Sequence, residues 1–272
     1  MKRRSATTAP RGEASAYEPR RWRRTLQRRF VLPLVGLLLV LAVWEATVIA
    51  YQLPVIVLPP PWSVATTLFK LLGTSAFWHD VAISLYEFGT GYLAGVILGV
   101  AVGMLIGESR GFRLAATPVV ESLRFIVPFA WIPLTILWFG TSYAGKIVLV
   151  AYAVFFVMVV STARAIAAVD PTLSRVGTVL GMSRWPLAWK VHMRAAAPTI
   201  ASAARAAAAI GWIAVVAAEY IGASAGLGLM ITNAASSLAT SVVISGMIVI
   251  GLVGAGVSAL IGWLSRVRLD YR

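Results

Sequence analysis

At 272 residues, with hydrophobic side chains at 59% and charged ones at 12%, the chain departs from a soluble domain, which is roughly 45–50% apolar and about 25% charged. The mean hydropathy of +0.83 points the same way, so a water-soluble fold and a disordered one are both excluded and an all-α integral membrane protein is expected. The lack of cysteine removes disulfides, thiolate metal sites and cysteine nucleophiles. A net charge of +14 invites a nucleic-acid reading. Ten of the 24 Lys and Arg, however, fall in residues 1–29, just before the first apolar stretch. That placement fits a basic cytoplasmic tail lying against anionic lipid, with no nucleic acid involved.

Six segments are long and apolar enough to cross a bilayer: 30–50, 81–106, 114–139, 145–167, 198–221 and 239–264. Together they predict a six-helix transmembrane domain over 30–264, between the tail 1–29 and a short tail 265–272. Continuous apolar runs argue against a membrane barrel. Glycines 89, 91, 95, 99 and 103 in the second span include a four-residue spacing that lets helix backbones approach closely. Placing the N-terminus inside puts 21 Lys and Arg on the inner side and only Lys70 and Lys146 outside, which predicts both termini to be cytoplasmic.

Between spans, Leu58-Pro59-Pro60-Pro61 stiffens the first outside loop, and Trp62 to Leu72 reads as a short amphipathic helix. The connection 168–197 is the long inner one. Thr172 to Leu180 reads as a helix broken around Gly181 and resumed from Arg184 to Val191, a structured segment suited either to a partner or to the lipid interface. The uncharged stretch Gly222–Ser237 reads as an outside loop.

The third span carries most of the chemistry. Glu121 and Arg124 stand three apart on one helix face and can neutralise each other, although Arg124 could also lend positive potential to a path for a small anion. Pro128 and Pro133 remove backbone hydrogen bonds, which membrane depth tolerates where backbone is packed in protein or lines a water-filled cavity. Trp131 and Trp138 flank those breaks, so this span is the best candidate for lining a path. Glu87 and Glu219 sit near outer span ends, as an outer gate or as hydrogen-bonding groups.

Three apparent motifs fail on context. Gly140 to Lys146 has the glycine and lysine spacing of a phosphate-cradling loop, but Ile147 lacks the required hydroxyl. Gly107-Glu108-Ser109-Arg110-Gly111 has a nucleophile spacing without the strand-to-helix elbow that gives it meaning. His79 and His192 are expected on opposite sides of the membrane, so no dyad or metal site forms between them. No catalytic or metal residues are predicted, and ATP chemistry would have to come from another polypeptide.

From about Leu58 onward the sequence resembles the permease subunit of bacterial ABC importers, in the branch handling nitrate, taurine and other sulfonates. The blocks that carry this are RFIVPFAWIPLTILWFG (124–140), GWIAVVAAEYIGASAGLG (211–228) and Leu180-Gly181-Met182-Ser183-Arg184. The resemblance implies the type I importer permease fold in the bacterial inner membrane, and no cofactor on this chain. ATP and Mg²⁺ would reside on two copies of an ATP-binding subunit. A second permease copy or paralogue and an external substrate-binding protein would complete the assembly. It further implies that 168–197 docks on the ATP-binding subunit through Arg175, Gly181, Met182, Ser183, Arg184 and Trp185. Path candidates are Glu121, Arg124, Pro128, Trp131, Pro133, Trp138, Trp212 and Glu219.

The family's docking signature is Glu-Ala-Ala, three residues, Gly, nine residues, Ile, one residue, Leu-Pro. Aligned on Gly181, the chain has Arg175, Val176 and Gly177 at the start and Val191-His192-Met193-Arg194 at the end, departures that bear on docking geometry. A stand-alone carrier driven by an ion gradient is the competing reading. Internal repeats, the usual mark of such carriers, are not evident between the two halves.

Overall fold

The computed structural model describes residues 20–222 and 224–269, and among these there are helices and turns but no strand. Within the unit Met1–Leu53 the described residues form one helix, α1 (Arg20–Ala50), whose apolar stretch Leu32–Ala50 suits a membrane span. The expected tails 1–29 and 265–272 fall partly outside the described residues.

The unit Pro54–Arg272 holds α2 (Pro61–Leu72), α3 (Ser75–Glu108), α4 (Arg110–Leu123), a 3₁₀ turn (Pro128–Trp131), α5 (Ile132–Phe139) and α6 (Tyr143–Ala167). After these come α7 (Pro171–Val179), α8 (Arg184–Leu187), a π turn (Ala188–His192), α9 (Met193–Gly222), α10 (Leu227–Ser236) and α11 (Thr240–Leu269). Five helical stretches are long and apolar enough to span a membrane, and a sixth forms if the bent pair Arg110–Leu123 and Pro128–Phe139 counts as one.

The glycine spacing sets how the core assembles. A Cβ on Gly91 would come within 2.6 Å of Val150 Cβ, one on Gly95 within 2.7 Å of Val154 Cβ, and one on Gly99 within 2.5 Å of Met158 Cβ. Gly103 and Gly107 meet Thr162 and Ile166 in the same way. Both series ascend in step, so α3 and α6 run parallel with their backbones nearly touching at five successive points from Gly91 to Gly107. Gly89 lies off this stripe, with nothing within 4 Å of its would-be Cβ. α6 is the central helix: Val150, Val154, Met158 and Val159 are fully buried. α9 runs antiparallel to it and α11 antiparallel to α9, where Trp212 Nε1 donates to the Ile250 carbonyl at 3.0 Å.

The third span breaks directly before Pro128, one of the two prolines that marked it, and its halves are bent by 83° at residues 124–127. Several expectations are corrected. Pro133 lies in the first turn of α5, where an N–H has no helical partner anyway, so it does not break that helix. The stretch 222–237 is not an open loop, since α10 fills most of it. Lys146, expected outside, is buried in the first turn of α6. The helix that carries the fifth span starts far earlier than the expected span, because α8, the π turn and α9 join into one helical stretch over Arg184–Gly222.

Candidate functional site

Two ends of the bundle can be told apart by residue: the end where α3 begins at Ser75 and the end where it finishes at Glu108. α4 and α5 return from the second to the first. At their bend, Tyr152 on α6 donates its hydroxyl to the Leu123 carbonyl at 2.7 Å and the Ile126 carbonyl at 3.2 Å, so carbonyls freed by the break are satisfied from a neighbouring helix. Beneath the bend lies a cavity of about 560 Å³, lined by Arg124, Pro128, Tyr152, Phe156, Ser161 and Arg164 among others.

Arg124 Nε meets Glu121 at 2.6 Å, as their spacing predicted. Glu121 faces a second, smaller cavity of about 190 Å³ that also takes in Arg113 and Arg164. Trp131 packs on Tyr152, ring centroids 5.4 Å apart. Trp138 is exposed on α5 and stands away from the cavity. Of the expected path residues, then, the fold gathers Arg124, Pro128, Glu121 and Trp131 about one bend. Trp212 and Glu219 are buried elsewhere.

Glu219 has a different task. Its carboxylate accepts the Ser84 hydroxyl at 2.5 Å and the Gly228 N–H at 2.8 Å. Ser84 Oγ in turn accepts the Leu227 N–H at 3.0 Å, and Asp80 accepts that of Gly226 at 3.1 Å. The first N–H groups of α10 are thus met by side chains from α3 and α9, with a carboxylate on the positive end of the helix dipole. Gly226-Leu227-Gly228 makes this possible. A Cβ at Gly226 would lie 2.5 Å from the Glu219 carboxyl carbon and one at Gly228 2.6 Å from Glu219 Cβ, while Gly226 itself has φ +121°. Beside this cluster, Lys146 Nζ contacts Glu87 Oε1 at 2.6 Å with both side chains buried. Glu87 and Glu219 therefore hydrogen-bond across helices, one of the two roles expected of them.

At the Glu108 end, α7 is capped by Asp170, whose Oδ1 accepts the Thr172 N–H at 2.8 Å. Gly181, at φ +77° with open space around it, turns the chain out of α7. Val179 and Leu180 at this turn are 86% and 74% exposed. Leu187 occupies the space a Cβ on Gly177 would need, which accounts physically for glycine where the family signature has alanine. Trp185 lies apart from the turn: with Trp189 it lines an apolar groove along α3 that includes Val96, Val100 and Met104.

Sequence reasoning missed one constellation here. His192 Nδ1 contacts Glu108 Oε1 at 2.5 Å and its Nε2 contacts Ser174 Oγ at 2.8 Å. The order Ser–His–Glu matches a hydrolase triad, but Ser174 lies within a regular helix rather than on the strained turn that presents such a nucleophile. The arrangement ties α7 to the π turn and to the end of α3. The only advance signal was a lone glutamate and a lone histidine at opposite edges of inner segments. Among the described residues, no group of three His, Asp or Glu could hold a metal ion.

Comparison with known proteins places this geometry. The family described as binding-protein-dependent transport system inner membrane component matches residues 91–268. The chain is 33% identical over 238 residues to the taurine transport system permease protein TauC of Escherichia coli strain K12, covering 86% of each chain. It is 32% identical over 274 residues to the putative aliphatic sulfonates transport permease protein SsuC of Bacillus subtilis strain 168, covering 100% of this chain and 98% of that one. A crystal structure of a bacterial ABC transporter that imports alginate shares the fold, with a TM-score of 0.62 at 17% identity, covering 91% of this chain and 98% of that chain. The chain thus belongs to the binding-protein-dependent transport family: it is a multi-pass inner-membrane permease subunit of an ABC importer, in the nitrate, taurine and sulfonate branch, and ATP hydrolysis falls to a separate subunit.

Proposed function

We propose that this permease moves a small organic anion of the sulfonate class inward, along a path beside the bend at residues 124–128. Its two relatives named for taurine and for aliphatic sulfonates support the cargo class. The residues gathered at the bend support the path, since backbone freed from helical bonding at membrane depth belongs where protein or water covers it. Residues 30–264 form the permease domain, between inner tails at 1–29 and 265–272, and both termini face the cytoplasm in keeping with the basic bias of the Glu108 end. Two permease subunits enclose the path, two ATP-binding subunits hold ATP and Mg²⁺, and an external protein delivers cargo.

The observation that carries the coupling part is the exposed turn at Val179, Leu180 and Gly181, two large apolar side chains beside a glycine in left-handed conformation. That turn docks on the ATP-binding subunit, with Arg175, Met182, Ser183 and Arg184 around it. Trp185 is oriented to the α3 groove and supports the turn from behind. The docked segment continues without a break into α9, so displacement at the turn is passed into the membrane as movement of a 39-residue rod.

Reconstitution of the permease with its ATP-binding subunit and binding protein tests both parts. Uptake of a radiolabelled short alkyl sulfonate should compete with other sulfonates and not with uncharged analogues. Leu180→Asp should abolish co-purification of the ATP-binding subunit. Equal competition by an uncharged analogue would overturn the cargo class, and retained co-purification would overturn the docking assignment.

A further inference from the structure

Arg164 was assigned no role by sequence reasoning beyond its count as an inner charge, yet it stands where the two cavities under the bend meet. Three guanidinium groups, those of Arg113, Arg124 and Arg164, face this space against one carboxylate, Glu121. Glu121 is engaged with Arg124 at 2.6 Å. Among the described residues no carboxylate lies within ion-pair distance of Arg164 or Arg113. Charge at the edge of a membrane domain without a matching carboxylate is costly unless it faces water or meets an anion.

The rest of the larger cavity is mostly apolar and aromatic, with Phe156 and Val157 about one turn before the polar Ser161 on α6 and Phe125, Ile126 and Pro128 contributed by the bend. Ser161 and Arg164 are three residues apart on α6 and so share a face. A volume of about 560 Å³ falls within the range of roughly 300–1,000 Å³ typical of small-molecule sites. An oxyanion with a short carbon chain suits these walls: guanidinium and hydroxyl donors for the head, aromatic and aliphatic surface for the tail.

We infer that this cavity is a transit site on the permease itself, in which Arg164 and Ser161 hold the oxyanion head of the cargo while it passes the bend. The inference rests on the bend lining the path and adds a named binding group to it. It also makes the permease a second point of selection after the external binding protein, favouring anions over uncharged molecules of equal size. The same donors would accept the phosphate head of an anionic lipid, so the source of the anion has to be separated experimentally.

The absence of native cysteine makes a direct measurement possible. In the intact importer, reconstituted in nanodiscs of zwitterionic lipid, Ser161→Cys is reacted with anionic sulfonatoethyl and cationic trimethylammonioethyl methanethiosulfonates. Labelling of the permease chain is followed by mass spectrometry. The anionic-to-cationic rate ratio should fall about tenfold when Arg164→Met is added, as expected for loss of one charge a few ångströms away in a partly wet site. Arg164→Lys should keep most of the ratio. Ethanesulfonate should slow labelling, whereas ethanol should not.

If both reagents label and the ratio is the same with and without Arg164, the anion site is overturned while the path stands. If neither reagent reaches Ser161→Cys, there is no water-filled cavity and the path reading falls too. If the charge preference and the ethanesulfonate protection vary only with added anionic lipid, the site belongs to a lipid headgroup and the transit role is overturned.

Discussion

The two ends of the bundle handle charge differently. At the Ser75 end, Glu87, Lys146 and Glu219 are sealed from solvent, each carboxylate fixed by a cation, a hydroxyl or a helix N-terminus within 2.5–2.8 Å. At the Glu108 end, Glu108 and Arg124 are partly open, and Arg164, Val179 and Leu180 are exposed. Sealed charge rigidifies, because losing one partner strands the other in low dielectric. Open charge and exposed apolar side chains cost little to rearrange, which suits the end proposed to meet a partner and respond to it. The comparison assigns stability to one end and exchange to the other, and each assignment can be broken by substitution.

The largest effect is expected at Lys146. Lys146→Met leaves Glu87 buried without its cation, which should cost about 3–5 kcal/mol and remove folded permease from detergent extracts, read by fluorescence-detected size exclusion after a heat step. Adding Glu87→Gln should restore most of the yield, since a neutral amide beside methionine leaves no stranded charge. If the double variant is no better than the single, the pair is not what holds this end. Glycine contacts along α3 come next. Gly95→Ala places a methyl 2.7 Å from the Ala151 carbonyl oxygen, an overpacking that should cost about 1–3 kcal/mol. Gly89→Ala meets nothing and should stabilise by up to about 1 kcal/mol through helix propensity. The two substitutions have the same chemistry on one helix, so opposite signs in thermal melts would isolate the packing effect.

At the open end the expected changes are in coupling rather than in folding. Gly181→Ala has room for its methyl but must hold a left-handed conformation, a strain of roughly 1–2 kcal/mol. Global melting should move little, while transport per ATP hydrolysed falls several-fold because the docking turn relaxes. His192→Ala removes the tie from α3 to α7 and should lower the same ratio by a smaller factor, with His192→Gln keeping part of it. Unchanged ratios in both would return this end to a purely structural role.

Much of the architecture could be read from the residues alone. Apolar runs located the helices that suit membrane spans, though not where those helices begin, and the four-residue glycine spacing announced close helix packing because both features act locally along one helix. The i, i+3 pair Glu121–Arg124 was legible for the same reason. Pro128 marked where the third span breaks, because it bars helical geometry at Val127, but the 83° size of the bend was not legible, since it depends on how α4 and α5 pack on their neighbours. Lys146 was read as a loop residue because its partner is 59 positions away. Ser84, Asp80 and Glu219 converge on the start of α10 only once α3 and α9 have packed, so no local pattern could reveal that a stretch without charges was a capped helix. The His192 contacts to Glu108 and Ser174 are long-range in the same sense. The resemblance to importer permeases suggested the role proposed for 168–197, but not the place of Trp185 in the groove along α3.

The smallest effect concerns the entry to the docking segment and follows from its cap. The Thr172 N–H donating to Asp170 holds that carboxyl below its ordinary range. A lowered folded-state value means the cap contributes above the unfolded carboxyl range and fades only as pH falls through the lowered value. At neutral pH the first turn of α7 is therefore fully capped. Asp170→Ala should raise deuterium uptake of the peptide covering Pro171–Val179, and Asp170→Asn, which keeps an acceptor oxygen, should raise it less. The difference between wild type and Asp170→Ala, corrected for intrinsic exchange, should shrink on acidification and not on moving to alkaline pH. Equal uptake in wild type and Asp170→Ala at neutral pH would mean that Pro171, which presets the first helical turn, fixes α7 on its own. The docking segment would then be stiffer at its entry than its open, solvated surroundings imply.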